Sequence, residues 1–169
     1  MTDLEKSRAE KDDFFSGHPQ SPLTPLQKRT FTGLRYFDEN LSLRLELTVI
    51  PFPVREQIEI QTSTGETRIY TRHGRFKFSV DGQEAELTIY ETEHGYFLPF
   101  VDSLAGAETY PAGRYLDPEP LPGNRFLVDF NLAYNPYCAY NDAWSCPLTP
   151  FENRLKVPIR AGEKLFKTG

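Results

Sequence analysis

Two runs, Arg75-Phe76-Lys77-Phe78-Ser79-Val80 and Gln83-Glu84-Ala85-Glu86-Leu87-Thr88-Ile89-Tyr90, flank the dipeptide Asp81-Gly82. Asp-Gly between two strand-forming runs is the strongest short hairpin signal, because both central residues of such a turn take positive φ. The spacing predicts an antiparallel hairpin here. Working outward, Gln57–Thr62 and Thr67–Arg72 flank Ser63-Thr64-Gly65-Glu66 and read as a second hairpin, with Tyr96–Val101 as a strand after His94-Gly95. Upstream, Leu41, Leu43, Leu45, Leu47 and Val49 alternate with Ser42, Arg44, Glu46 and Thr48, one face of a strand. Pro51 and Pro53 end that strand or place it at an edge. Arg125–Asn131 and Lys156–Arg160 complete the set.

Strands at this spacing make an antiparallel meander, which must bury one face. The expected fold is mainly β: a meander closed as a barrel or packed as a β-sandwich, with one N-terminal helix and a long C-terminal loop. Residues 1–169 read as a single domain. Within it lie an N-terminal helix in 1–17, the meander in 34–131, a loop in 129–154 and a final strand in 155–165. In the helix Thr2 or Asp3 caps the start, and Gly17 and Pro19 stop it. Phe14 and Phe15 lean on the body, while Arg8 and Lys11 read as a solvated face. Thr24-Pro25 suits the start of a short helical turn.

The net charge is −5, with acidic and basic residues mixed along the chain. No basic stripe is present, so nucleic acid is not an expected partner. No apolar run approaches the roughly 20 residues that span a bilayer. The charged start MTDLEKSRAEKDDFF lacks an apolar signal region. A cytoplasmic protein without a membrane partner is expected.

The segment Asp129–Arg154 departs from the hairpin pattern. It concentrates Tyr134, Tyr137, Tyr140, Trp144, Asn131, Asn135, Asn141, Asn153, Cys138, Cys146 and several prolines in one long loop. Long irregular loops are uncommon and tend to be functional or covering segments. Rings offer apolar walls with polar tips, and Asn both donates and accepts. That mix suits a polar organic ligand. It equally suits a loop that satisfies its own backbone groups and plugs one end of the sheet. Ligand-binding candidates are Arg114, Tyr115, Asn131, Tyr134, Asn135, Tyr140, Asn153 and Arg154. Arg114, after Gly113, stands either at a pocket mouth, binding an anion bidentately, or in a cross-strand pair.

Four readings are open for Cys138 and Cys146: buried inert thiols, a disulfide, a metal site or a catalytic thiolate. Zinc needs three or four ligands, and His18, His73 and His94 are scattered, so no metal is expected. No cofactor is implied, since the glycines at 106 and 113 form no phosphate loop. His73 and His94 sit beside glycine in presumptive hairpin turns and read as exposed. Asp129 and Glu152 are available for acid–base work if a pocket brings them together. Glu152 beside Arg154 reads more simply as a surface pair.

Several runs resemble a known family: Gly33-Leu34-Arg35-Tyr36-Phe37, Thr109-Tyr110-Pro111-Ala112-Gly113-Arg114-Tyr115-Leu116, Asp129-Phe130-Asn131, Ala133-Tyr134-Asn135-Pro136, Cys138-Ala139-Tyr140, Cys146-Pro147-Leu148, Glu152-Asn153-Arg154-Leu155 and Ala161-Gly162-Glu163-Lys164. Together they resemble the bacterial and archaeal domain of unknown function 1684 family over nearly the whole chain. The resemblance implies that Asn135-Pro136, Cys138, Cys146, Asn153-Arg154 and Gly113-Arg114-Tyr115 belong to its signature, and it implies no activity.

Three functions are compatible with these residues, in this order. The first is a domain binding a small polar or anionic organic ligand at one end of the sheet. The second is a hydrolase or lyase using Asp129, Glu152 or Cys138. The third is a non-catalytic structural or interaction protein. Self-association as a homodimer is open.

Overall fold

The computed structural model describes residues 2–166. Among the described residues nine strands are formed: β1 (Arg44–Thr48), β2 (Ile50–Pro51), β3 (Gln57–Gln61), β4 (Thr67–Val80), β5 (Gln83–Thr92), β6 (Gly95–Phe100), β7 (Arg114–Leu116), β8 (Glu119–Leu121) and β9 (Arg125–Asp129). The helices α1 (Asp3–Gly17) and α2 (Pro25–Thr30) precede them. The larger sheet runs β2-β4-β5-β6-β7 with β3 also on β4, and the smaller runs β1-β9-β8. All pairs are antiparallel.

The Asp81-Gly82 hairpin forms as expected. Both residues have positive φ, and Val80 pairs with Gln83. The sheets do not close into a barrel. They are separate and share one core, with Leu45, Leu47, Phe126 and Val128 of the smaller meeting Phe76, Leu87, Leu98 and Phe100 of the larger. This is a sandwich-like arrangement. Each fully buried side chain among these contributes roughly 1.5–3 kcal/mol, the half-buried Leu45 and Leu47 less.

Several expected elements differ: Leu41–Leu43 is a 3-10 turn, so the strand read from Leu41 begins at Arg44. The runs 67–72 and 75–80 are one 14-residue strand, β4, with a bulge between Arg72 and Gly74. A Cβ on Gly74 would lie 2.7 Å from the Ile50 carbonyl oxygen, so glycine lets β2 pair closely there. His73 is therefore buried in a strand rather than exposed in a turn, with Nδ1 2.8 Å from Glu91 Oε1. Residues 155–165 form no strand. Their backbone groups are met piecemeal rather than by one neighbouring strand: Leu155 and Val157 bond the backbone of Val101 and Ser103, Gly162 and Glu163 that of Phe37 and Ala133, while Arg114 donates to the carbonyls of Ile159, Ala161 and Glu163 and the Ile159 N–H donates to Asp102.

Helix α1 starts with a full capping box between Thr2 and Glu5. Phe15 packs edge-on against Tyr140, with Leu23 beside them. Arg8 and Lys11 are not a solvated face. Arg8 donates to the carbonyls of Phe37 and Asn131, and Lys11 pairs with the buried Glu163.

Candidate functional site

The segment 129–154 is an ordered path of short 3-10 turns at Phe130–Leu132, Tyr137–Ala139 and Phe151–Asn153. Three of its asparagines are tied into the fold. Asn131 accepts from the Asn40 N–H at 2.8 Å and donates to the Asn40 carbonyl and Asp129 Oδ1, both at 2.9 Å. Asn135 donates its backbone N–H to Glu163 and its amide to the Lys164 carbonyl. Asn153 accepts from the Thr88 N–H and donates to the carbonyls of Thr88 and Pro99, all at 2.8 Å. One amide thus ties a 3-10 turn to two strands.

Arg114 is fully buried, not at a pocket mouth. Its fork grips the 159–163 backbone, and Asp102 Oδ2 lies 3.7 Å from Nη2. Burial pulls its pKa down to about 10, with Asp102 and Glu163 opposing, so it remains cationic at neutral pH. Gly113 has φ +102°, and a Cβ there would sit 2.5 Å from the Phe100 carbonyl oxygen. The Gly113-Arg114 pair is thereby explained: glycine admits the strand closely, and arginine reaches the core. Glu163 is a hub that sequence reasoning missed. It accepts from Lys11, the Tyr140 hydroxyl and the Asn135 N–H. Lys11 lies 152 positions away, so no local spacing signals the contact.

Asp129 and Glu152 do not pair. Asp129 is held by Asn131 and faces Arg44, while Glu152 accepts from Arg72, Thr88 and Tyr90. The expected Glu152–Arg154 surface pair is replaced by Glu152–Arg72, and Arg154 is exposed. Burial pushes the Glu152 pKa up, but hydrogen bonds from Arg72, Tyr90 and Thr88 outweigh it and hold the carboxyl below its ordinary range. Burial pushes the phenols of Tyr90, Tyr115, Tyr134 and Tyr140 up, so they act as neutral donors. Cys138 and Cys146 are both buried and unbridged, with the Cys138 N–H donating to Cys146 Sγ at 3.3 Å. Among the described residues, no three of His, Cys, Asp and Glu gather as metal ligands.

An open groove lies beside this segment. A groove of about 650 Å³ is lined by Arg68, Ile69, Tyr70, Thr92, Glu93, His94, Tyr96, Phe97, Asp117 and Pro147. Its floor is a ring cluster on the larger sheet in which Tyr70, Phe97 and Tyr115 pack together, with Phe97 and Tyr115 edge to face at 4.8 Å. Tyr115 and Tyr134 support it from beneath: the Tyr115 hydroxyl donates to the Pro147 carbonyl, and that of Tyr134 donates to Asp117 at 2.9 Å. Arg68 and His94 are exposed at the rim. Tyr140 is buried against α1, and Trp144 packs on Tyr137 at 5.1 Å, so neither reaches the groove.

A family model described as "Protein of unknown function (DUF1684)" matches residues 29–164. An uncharacterized protein of Haloarcula marismortui, solved in solution by NMR, is 38% identical with a TM-score of 0.71, covering 95% of this chain and 91% of its own. No curated protein matches the chain. No helix among the described residues is long and apolar enough to cross a membrane.

Proposed function

Since the chain belongs to the family described as "Protein of unknown function (DUF1684)", a description that names no activity, we propose a function from its geometry: it binds a small organic molecule carrying a carboxylate or phosphate in the groove between β4, the β5–β6 turn and Pro147. The observation that carries this reading is the groove itself, about 650 Å³ over a floor of aromatic rings. Pockets for small ligands combine such apolar walls with a few placed polar groups. Tyr70 and Phe97 offer ring faces and edges to an apolar body. Arg68 and His94 offer donors to an anionic group, and Asp117 accepts from a ligand hydroxyl or amine.

In this reading the 129–154 segment builds the wall rather than touching the ligand, except through Pro147. The test is ligand-observed NMR with a panel of aromatic and aliphatic carboxylic acids and phosphate esters. Binding of at least one class is expected, with its loss in Ile69→Glu, which sets a like charge in the exposed groove wall. Binding unchanged in that variant overturns the assignment.

A further inference from the structure

We propose that Cys138 and Cys146 form a reversible dithiol–disulfide site that reacts with low-molecular-weight disulfides. The two residues are carried by separately anchored arms. Cys138 lies in the 3-10 turn Tyr137–Ala139, closed by the Ala139 N–H on the Pro136 carbonyl at 2.9 Å. Cys146 lies on a return arm zipped to the β3–β4 turn. There the Ser63 N–H donates to the Cys146 carbonyl at 2.9 Å, the Cys146 N–H donates to Ser63 Oγ at 3.1 Å, and the Leu148 N–H donates to the Gln61 carbonyl at 2.8 Å. The arms bring Cys146 Sγ to 3.3 Å from the Cys138 backbone nitrogen, with both thiols free and buried. A disulfide requires its two sulfurs within bonding reach, and pre-placement raises the rate of closure. No third His, Cys, Asp or Glu gathers with the pair among the described residues, whereas zinc takes three or four ligands.

The chemistry of the pair is asymmetric. The Tyr110 hydroxyl lies 3.8 Å from Cys138 Sγ. A hydrogen bond from the Cys146 thiol pulls the Cys138 thiol down against burial, with Tyr110 and Ser63 adding to it, and the same bond pushes Cys146 up. With the Tyr110 hydroxyl placed at its Sγ to steady a thiolate, Cys138 is assigned as the attacking thiol and Cys146 as the resolving thiol. The Cys138 thiolate attacks one sulfur of a disulfide RSSR, and RS⁻ leaves and takes up the proton Cys138 released. Cys146 then loses its proton and attacks Cys138 Sγ of the mixed disulfide. The Cys138–Cys146 bond forms as the second RS⁻ leaves and is protonated. Two protein thiols are oxidised and one RSSR is reduced to two RSH. Because Pro147 follows Cys146 and lines the groove, the bond also tethers one groove wall. That last clause rests on the groove reading, whereas the disulfide does not.

The test equilibrates the native protein in buffers of graded reduced and oxidised glutathione, quenches with acid, alkylates, and maps peptides without reduction. The expected result is a Cys138–Cys146 linked peptide in monomeric protein, appearing in a single two-electron transition and abolished by dithiothreitol. The variant Cys146→Ser is expected to trap glutathione on Cys138, an adduct that the natural chain resolves. Free thiols throughout the series, links only between molecules, or the same stable adduct in the natural chain overturn the proposal. These readouts involve no ligand, so they stand or fall apart from the groove.

Discussion

Asn153 clamps Thr88 by both of its backbone groups, accepting the Thr88 N–H and donating to the Thr88 carbonyl, each at 2.8 Å. The clamp joins the last turn of the 129–154 segment to the middle of β5. A further bond to the Pro99 carbonyl extends it to β6. All of these groups are buried, so the amide replaces solvent that cannot reach them.

Removing the clamp leaves buried backbone groups without partners, each costing about 1–3 kcal/mol. Asn153→Ala is expected to destabilise the protein by at least about 2 kcal/mol in urea unfolding. Asn153→Asp keeps the acceptor, loses the donors and is expected to be no better. A midpoint within error of the natural chain for Asn153→Ala contradicts the clamp.

Arg114 holds residues 159–163 where a strand partner is missing. Arg114→Lys keeps the charge and loses the fork, which a point charge does not reproduce. Amide hydrogen exchange at Ile159 is expected to quicken by an order of magnitude or more relative to β5, with global stability lowered by about 2 kcal/mol or more. Exchange that stays uniform across both segments speaks against a local role.

Lys11 is the only basic side chain bonded to the buried Glu163 among the described residues, and it carries α1 with it. Truncating one partner of a buried ion pair costs about 3–5 kcal/mol, because the other charge is left uncompensated. Lys11→Ala is expected to fall near the low end of that range and to expose α1 to limited proteolysis. An intact helix and an unchanged midpoint refute the pairing.

Glu152 gives the protein an acid-sensitive term. Its folded pKa is depressed below the unfolded one, so the stabilisation is complete above about pH 4.3, the ordinary glutamate value. It is lost as pH falls through the folded pKa. Urea midpoints measured from neutral pH down to about pH 3 are expected to drop less steeply in Glu152→Gln than in the natural chain. Parallel curves rule out the Arg72–Tyr90–Thr88 cradle as the source.

How much of this was legible beforehand differs by element. Asp81-Gly82 and the alternation from Leu41 to Val49 pointed to strands through local chemistry; the hairpin forms, and the alternation gives a strand over Arg44–Thr48 only, with Leu41–Leu43 a 3-10 turn. The Asp129–Arg154 loop stood out by composition. Its role was not readable, because Asn131, Asn135 and Asn153 find partners 91, 28 and 65 positions away. His73 was misread because Gly74 signals a turn locally but here relieves a close strand approach. The strand expected at 155–165 failed because its backbone is shared among Arg114, Asp102 and scattered backbone groups of Phe37, Val101, Ser103 and Ala133, all far upstream. The groove was invisible to sequence reading, since Arg68, His94 and Asp117 converge only after β4, β5 and β6 pair.

A two-dimensional ¹H–¹⁵N NMR titration with the carboxylic acids and phosphate esters separates the open groove from the packed loop. The expected result is shift changes clustered at Arg68, Ile69, Tyr70, His94, Phe97 and Asp117, with the side-chain amides of Asn131, Asn135 and Asn153 unmoved. Changes centred on those three amides and Tyr140, or none anywhere across the panel, contradict a ligand groove walled by a structural loop.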